Sequence, residues 1–500
     1  MRATHIGLLV LLAVSLTGLA ILLAGPSRRL PQPVLLTDTI PPGLPPELVA
    51  EIEKLRSSSA KERGEAAQAL GRRGQKAAPA APFLAALLGD DAKCTLRTYS
   101  PDHIGWEETR VCAEAIDALR RIGSAPPVLA ALRSKNPLVR RGAAEVLSSI
   151  GGEGVVPGLV GALKDPDAGV RAAAARSLSG RGAPAPPVDP LIAALRDASP
   201  DVRASAAATL GRIQDRRAVE PLLAAAQDAD AKVRSEALRS LGWIADPRGL
   251  APLLAALGDP DPTVRHAAAC MVGGFTDERV VPALAARLRD EDRRVCEAAA
   301  GSLGRLGDAR AVEPLMAALR DRQGRGRWAV AEALGKCKDP RAVNPLIAAL
   351  GDNDMNVARY AAGALGLLGD RAAVEPLLSS LNGRDALVRE EAARALGRLG
   401  DPRAVAPLAG ALNGANEHLR YFAALALGQI KSPAAVEPLI RLLEREPQES
   451  RDDRFDGGPS PGVRDVAAQA LKEITGQDFG DNAAKWRAWW EQARNQAERK

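Results

Sequence analysis

Residues 215–242 read DRRAVEPLLAAAQDADAKVRSEALRSLG, and residues 246–273 repeat them as DPRGLAPLLAALGDPDPTVRHAAACMVG. An Asp returns every 31 residues, at Asp215, Asp246, Asp277, Asp308, Asp339, Asp370 and Asp401. A Pro follows in each copy, at Pro221, Pro252, Pro282, Pro314, Pro345, Pro376 and Pro407. A fixed period of this length is the signature of stacked supersecondary units, none of which can bury its apolar face alone.

Each unit resolves into two helices. In the first, Val312, Leu315, Met316 and Leu319 fall at i, i+3, i+4 and i+7, one helical face, with Pro314 in the first turn where a missing N–H costs little. An Asp-rich turn follows, such as Asp259, Pro260 and Asp261, suited to capping. The second helix carries V-R-x-x-A-x-x-x-L-G, as in residues 202–211, and its Gly is expected to close the helix. Second helices counted by their last apolar residue number thirteen: Leu70, Leu119, Leu147, Leu178, Leu210, Leu241, Val272, Leu303, Leu334, Leu365, Leu396, Leu427 and Leu471. The expected fold is all-α, an αα-superhelix of about thirteen two-helix repeats over residues 47–476. Insertions interrupt it at 90–108 and 446–461, and either is a binding loop or decoration.

Composition fits thin, closely packed helices: 46% of residues are hydrophobic but only 3% aromatic. The net charge of +6 comes from 67 basic and 61 acidic residues, interspersed, which does not point to nucleic acid. Five cysteines without a CxxC form neither a disulfide framework nor a zinc site, and Cys94 and Cys112, flanking one insertion, are the candidate pair in an oxidising compartment.

The chain opens with twenty uncharged residues, 6–25, enough at 1.5 Å per residue to cross a hydrocarbon core of about 30 Å. Residues 1–25 are read as a single-pass signal anchor placing the array outside the cytoplasm. The alternative is a cleaved signal peptide and a secreted or periplasmic array. Residues 26–46, rich in Pro, form a stiff linker. Residues 477–500 carry Trp486, Trp489 and Trp490 at helical spacing and read as a capping helix, or else a docking helix.

The recurring D-P-R-A-V-x-P-L-x-x-A-L-x-D-x-D-x-x-V-R-x-x-A-A-x-A-L-G resembles a HEAT repeat, more narrowly the short HEAT-like units of phycobilisome bilin lyases. The resemblance covers residues 45–476 and implies second helices lining a concave side. It also admits an enzyme, a bilin lyase-type protein or a lyase subunit or chaperone, which would attach a tetrapyrrole to a partner's cysteine. No residue motif for a bilin pocket is present. Deoxyhypusine hydroxylase, another similar array, binds iron through His-Glu pairs. The four histidines here, His5, His103, His266 and His418, make no such pair, and Ala267 stands where the Glu would follow His266. No catalytic constellation, metal set or cofactor motif emerges.

A repeat arginine recurs on the second helix, including Arg203, Arg234, Arg265, Arg389 and Arg420, with Cys112, Cys296 and Ala358 in its place elsewhere. Since turn aspartates share its period, the ladder is read as structural, tying adjacent layers through Arg–Asp bonds. The next residue varies freely and is expected to face outward. Trp328, Arg359, Tyr360, Tyr421 and Phe422 gather around that position and are the candidate partner-binding residues. They form either a hot spot for a protein or rings filling the inter-helix core. The functional expectation is a non-enzymatic scaffold for a protein partner.

Overall fold

The computed structural model describes residues 39–100, 103–180, 187–446 and 462–498. The apolar stretch 6–25, most of the Pro-rich linker and residues 447–461 of the second insertion lie outside them. Among the described residues, no helix is long and apolar enough to cross a membrane. The chain falls into two compact units, Met1–Thr209 and Leu210–Lys500.

In the second unit the repeat chemistry can be followed atom by atom. Asp215 accepts the Arg217 backbone N–H at 2.9 Å, capping a 3₁₀ turn, Arg216–Ala218, that leads into the helix Val219–Ala225. Asp246, Asp308, Asp339 and Asp401 repeat that cap. Asp230 then accepts from the N–H groups of Lys232 and Val233 to start the second helix, Ala231–Ile244. Each such cap is worth about 1 kcal/mol. The second helices pack in succession: Ala231–Ile244 on Pro262–Val272, then Arg293–Leu306, Arg327–Cys337, Met355–Leu368, Ala386–Leu399, Glu417–Ile430 and Val463–Thr475. One continuous apolar core runs from Leu238 to Trp486.

The Gly of the L-G dipeptide does not close its helix. Gly335 lies inside Arg327–Cys337, where an added methyl would come within 2.7 Å of Ala364 Cα in the next layer. Gly304, Gly366 and Gly397 meet Ala333, Ala395 and Ala426 in the same way. This Gly is a contact residue that brings second helices together. The helices end about three residues later in the left-handed conformation, at Gly307, Gly369 and Gly400 but also at Ala245, Lys338 and Lys431.

The first unit follows the same plan with second helices Ala60–Arg73, Val111–Ile122, Pro137–Leu147 and Ala168–Ser177. It adds one feature to the helical expectation. The first insertion forms an antiparallel hairpin of β1 (Lys93–Ser100) and β2 (His103–Arg110), with Lys93 opposite Arg110. Cys94 and Leu96 are buried at its base, and a methyl on Gly64 would strike the Cys94 sulfur at 2.9 Å. Cys94 and Cys112 are both free thiols. Burial, then the charges of Glu114 and Asp90, push the Cys94 pKa up to about 11.

At the other end, the helix Ala483–Glu498 lies on Val436–Arg445. Trp486 is fully buried, its indole N–H donates to the Gly480 carbonyl at 2.8 Å, and Phe479 meets it edge to face at 4.9 Å. Arg487 clamps the helix down through Glu437 and Glu444.

Candidate functional site

The repeat arginines bind between layers. Arg234 donates through Nε and Nη2 to both carboxylate oxygens of Asp259 in the next layer, at 2.9 and 2.8 Å. Its Nη1 donates to the carbonyls of Asp228 and Ala229 in its own turn. Arg265 repeats this with Asp290, the two side chains only 6% and 4% exposed. Burial is the largest single influence on Asp290 and works to raise its pKa, but the Arg265 bonds, the Asp292 N–H and the charges of Arg265 and Arg287 together hold the carboxyl below its usual range. In the first unit, Arg63, Arg140 and Arg171 pair in the same manner with Asp90, Asp165 and Asp197. Arg203 donates to the carbonyls of Asp197 and Ala198, and Arg420 to those of Gly414 and Ala415, with Glu446 at 2.6 Å. Arg389 donates to the carbonyls of Gly383 and Arg384, and Gly414 occupies the carboxylate position ahead of it. Guanidiniums so engaged are not available to track phosphates.

A second set of ion pairs escaped the reading of the sequence. Arg248, Arg279, Arg310, Arg341 and Arg403 each pair with the Asp two residues before, at the start of a first helix. Arg248 and Arg403 also reach Glu220 and Glu375 of the preceding layer. The recurring D-x-R spacing is the sequence signal for this set.

The ladder breaks at Cys296, which is 1% exposed and directs its thiol to the Asp290 carbonyl at 3.2 Å. The turn facing it, residues 321–326, then departs from its peers. Regular second helices begin three residues before the Arg position, as Ala231 before Arg234 and Pro262 before Arg265. Here the helix Arg327–Cys337 begins at that position itself. Gln323 stands where Asp230, Asp261 and Asp354 cap, and Gly324 and Gly326 replace helix formers, each costing about 1 kcal/mol in a helix. Gly326 adopts φ +67°. Arg327 still bonds Asp352, but its Nε turns to the Leu319 carbonyl. The unwound turn leaves a cavity of 340 Å³ bordered by Arg293, Arg322, Arg325 and Trp328 on one side and residues 352–354 on the other.

The candidate residues form two groups along the second helices. Trp328 and Tyr360, on adjacent layers, have ring centroids 4.9 Å apart, and the Arg359 guanidinium lies 5.1 Å from the Tyr360 ring. The Trp328 indole N–H donates to Glu297 Oε1 at 2.8 Å, and Arg293 Nε donates to the same oxygen at 2.7 Å. Tyr421 and Phe422 meet edge to face at 5.2 Å, with Arg394 4.3 Å from the Phe422 ring. The layer between them contributes Glu391, paired with Arg394. All five candidates are half-buried. The position after the Arg does not simply face outward: Ala172, Ala204 and Ser235 are buried, and Trp328, Arg359 and Tyr421 sit partly between successive helices. The rings thus rest on the core while keeping an open face.

His266 Nε2 is 3.7 Å from Cys270 Sγ. Burial, with Arg239 and Arg294 nearby, pulls the imidazole pKa down, and burial pushes the thiol up, so both favour their neutral forms. Among the described residues no group of three or more His, Cys, Asp or Glu is placed to hold a metal.

Comparison with known proteins agrees with the geometry. The HEAT repeats family matches residues 107–179, 188–269, 250–326, 315–396 and 374–456. Yeast importin-beta, Kap95p, is 14% identical, with 85% of this chain covering 64% of that one at a TM-score of 0.54. Kap95p bound to RanGDP gives 15% identity, the same coverage and the same TM-score. This chain therefore spans less than two thirds of the importin chain, and the likeness is one of fold. The CpcE–CpcF complex of phycocyanin lyase from Nostoc is 25% identical over 52% of this chain and 94% of that one, but its TM-score of 0.27 carries no argument. No curated protein matches the chain. With matched segments covering more than half its length and their two-helix layers seen directly, the chain belongs to the HEAT repeat family.

Proposed function

We propose that the chain is a non-enzymatic scaffold that binds a protein partner on its second-helix face, at Trp328, Arg359, Tyr360, Tyr421 and Phe422. One observation carries this reading. In a chain with 3% aromatics, these rings are partly exposed in two groups on the second helices and held in place by tilted and edge-to-face ring contacts, cations and Glu297. Fixed aromatic and arginine side chains with an open face suit an interface anchor. HEAT neighbours that hold proteins, Kap95p with RanGDP and Kap95p with Nup1, are consistent with such a role for the fold. The apolar stretch 6–25 would tether the scaffold to a membrane with the array on the extracytoplasmic side, which protease protection of fractionated membranes tests.

The test of the site is Trp328→Ala and Tyr421→Ala, with proximity labelling in the native cell and thermal unfolding measured side by side. Loss of labelled partner with a melting temperature close to that of the wild type is the expected result. Lost stability with unchanged partner labelling would return the rings to the core and remove the site.

A further inference from the structure

The cavity beside Trp328 is basic for a reason that can be traced through the chain. Cys296 removes the arginine that would reach the turn ahead of it. That turn, residues 321–326, loses its capping Asp and its first helical turn, and it presents Arg322 and Arg325, both exposed, at the cavity border. Neither has a carboxylate within ion-pair distance, whereas Arg248, Arg310 and Arg341 in the regular layers each have an Asp two residues before them.

Asp352 and Asp354, which line the cavity, and Glu297 beside it are already engaged, while Asp321 at the start of the turn accepts the Gln323 N–H. Asp352 is bonded to Arg327 and to the Asp354 N–H, Asp354 caps the following helix through the Asn356 N–H, and Glu297 is bonded to Arg293 and Trp328. The lining counts four arginines, at 293, 322, 325 and 327, against Asp352 and Asp354. Two guanidiniums thus stand at an open cavity with no carboxylate within ion-pair distance, Arg322 acting on Asp352 only from further away, next to the partly exposed Trp328 ring.

We propose that this cavity receives an acidic segment of the protein partner, with Arg322 and Arg325 pairing its Asp or Glu carboxylates and Trp328 packing against its backbone. Charge complementarity selects the occupant. A guanidinium presents a planar fork of donors that matches a carboxylate in two bonds, and the cavity holds an acidic side chain with room for water. The inference rests on the scaffold reading and gives the partner a chemistry.

The test is fluorescence anisotropy of a labelled hexaglutamate peptide on the full chain, with hexaglutamine, inorganic phosphate and a single-stranded DNA oligonucleotide as comparison ligands. Arg322→Glu with Arg325→Glu lies in an exposed turn, and circular dichroism verifies its fold. Arg217→Glu with Arg279→Glu makes the same charge change on first-helix turns. The expected result is hexaglutamate binding that falls about tenfold or more in the 322/325 variant, as reversal of two exposed ion pairs allows. The 217/279 variant should stay within about twofold, the residue of long-range field alone. Equal loss in both variants, equal binding of hexaglutamine, tighter binding of the oligonucleotide, or full competition by phosphate alone overturns it. Partner labelling in the native cell separates the two levels: labelling lost in Trp328→Ala but retained in the 322/325 variant leaves the scaffold and removes the acidic docking. Labelling retained in both removes the scaffold site as well.

Discussion

Two neighbouring stretches of one array, residues 228–290 and residues 290–352, have the same period and opposite character. In the first, Arg234 and Arg265 reach forward to Asp259 and Asp290, and each turn is capped and closed. In the second, Cys296 breaks the rung, the turn at 321–326 unwinds, and Trp328 stands half-exposed beside a basic cavity. The backbone plan survives the break because second helices still meet through Gly304 against Ala333 and Gly335 against Ala364. Apolar stacking carries the fold, and the polar ladder fixes the turns. At Cys296 the lapse of the ladder goes with an altered turn, whereas behind Ala358 the turn keeps its Asp385 cap and its regular helix start.

The largest effect should come from removing a rung. Arg265→Ala leaves buried Asp290 with the Asp292 N–H and Arg287 at 3.6 Å, and should cost about 3 kcal/mol, read by chemical denaturation. Arg389→Ala, facing Gly414 rather than a carboxylate, should cost about 1–2 kcal/mol. Equal costs would mean that the rung itself contributes nothing and would dissolve the contrast between the stretches.

Next in size is the helix contact common to both. Gly335→Ala must push a methyl against Ala364 Cα and should destabilise by about 1–3 kcal/mol. Gly410→Ala, in a helix with nothing within 4 Å of the new methyl, should instead stabilise by up to about 1 kcal/mol.

Converting one region into the other is a smaller and more pointed change. Gln323→Asp with Gly324→Ala and Gly326→Ala restores a cap and helix formers and strains the present turn, where a methyl at 326 meets Glu297 Cγ at 2.7 Å, so the turn should rewind. The same variant should add helical ellipticity and abolish hexaglutamate binding. Retained binding in a rewound turn would separate the cavity from the ligand.

The smallest effect per group is that of acid. Asp292 is held at about 2 by the Arg294 side chain first, and Asp277 and Asp401 likewise by Arg279 and Arg403. Their folded values lie below the unfolded value near 3.8. Their contribution is therefore fully present above about pH 4 and is lost as pH falls through about 2. Thermal unfolding should be flat from pH 7 to about 5 and decline below about 4. A decline already complete at pH 5 would contradict these assignments.

The fold was legible because burial enforces the period: all thirteen residues from Leu70 to Leu471 that mark second helices have no exposed surface. The hairpin Lys93–Ser100 and His103–Arg110 was not, since one short insertion has no second copy to compare with. The Gly of L-G was misplaced because close helix approach and helix termination favour the same residue, and only the layer ahead distinguishes them. Of the site, the aromatics at 328, 360, 421 and 422 stood out by rarity, but their division into two groups depends on which layers touch. Arg322 and Arg325 were hidden in plain view. Arg327 keeps the period of the ladder, and the signal lies just before it, in Gln323 at the capping-Asp position and in Gly324 and Gly326 after it.

The central claim, that the partner docks where the ladder is broken, is tested most directly by site-specific photo-crosslinking in the native cell. A benzoylphenylalanine placed at position 359, beside Trp328 and Tyr360, should crosslink a discrete protein partner, and one at position 217, on an exposed first-helix turn, should not. Crosslinks of equal yield at both positions, or at position 217 alone, would contradict the account.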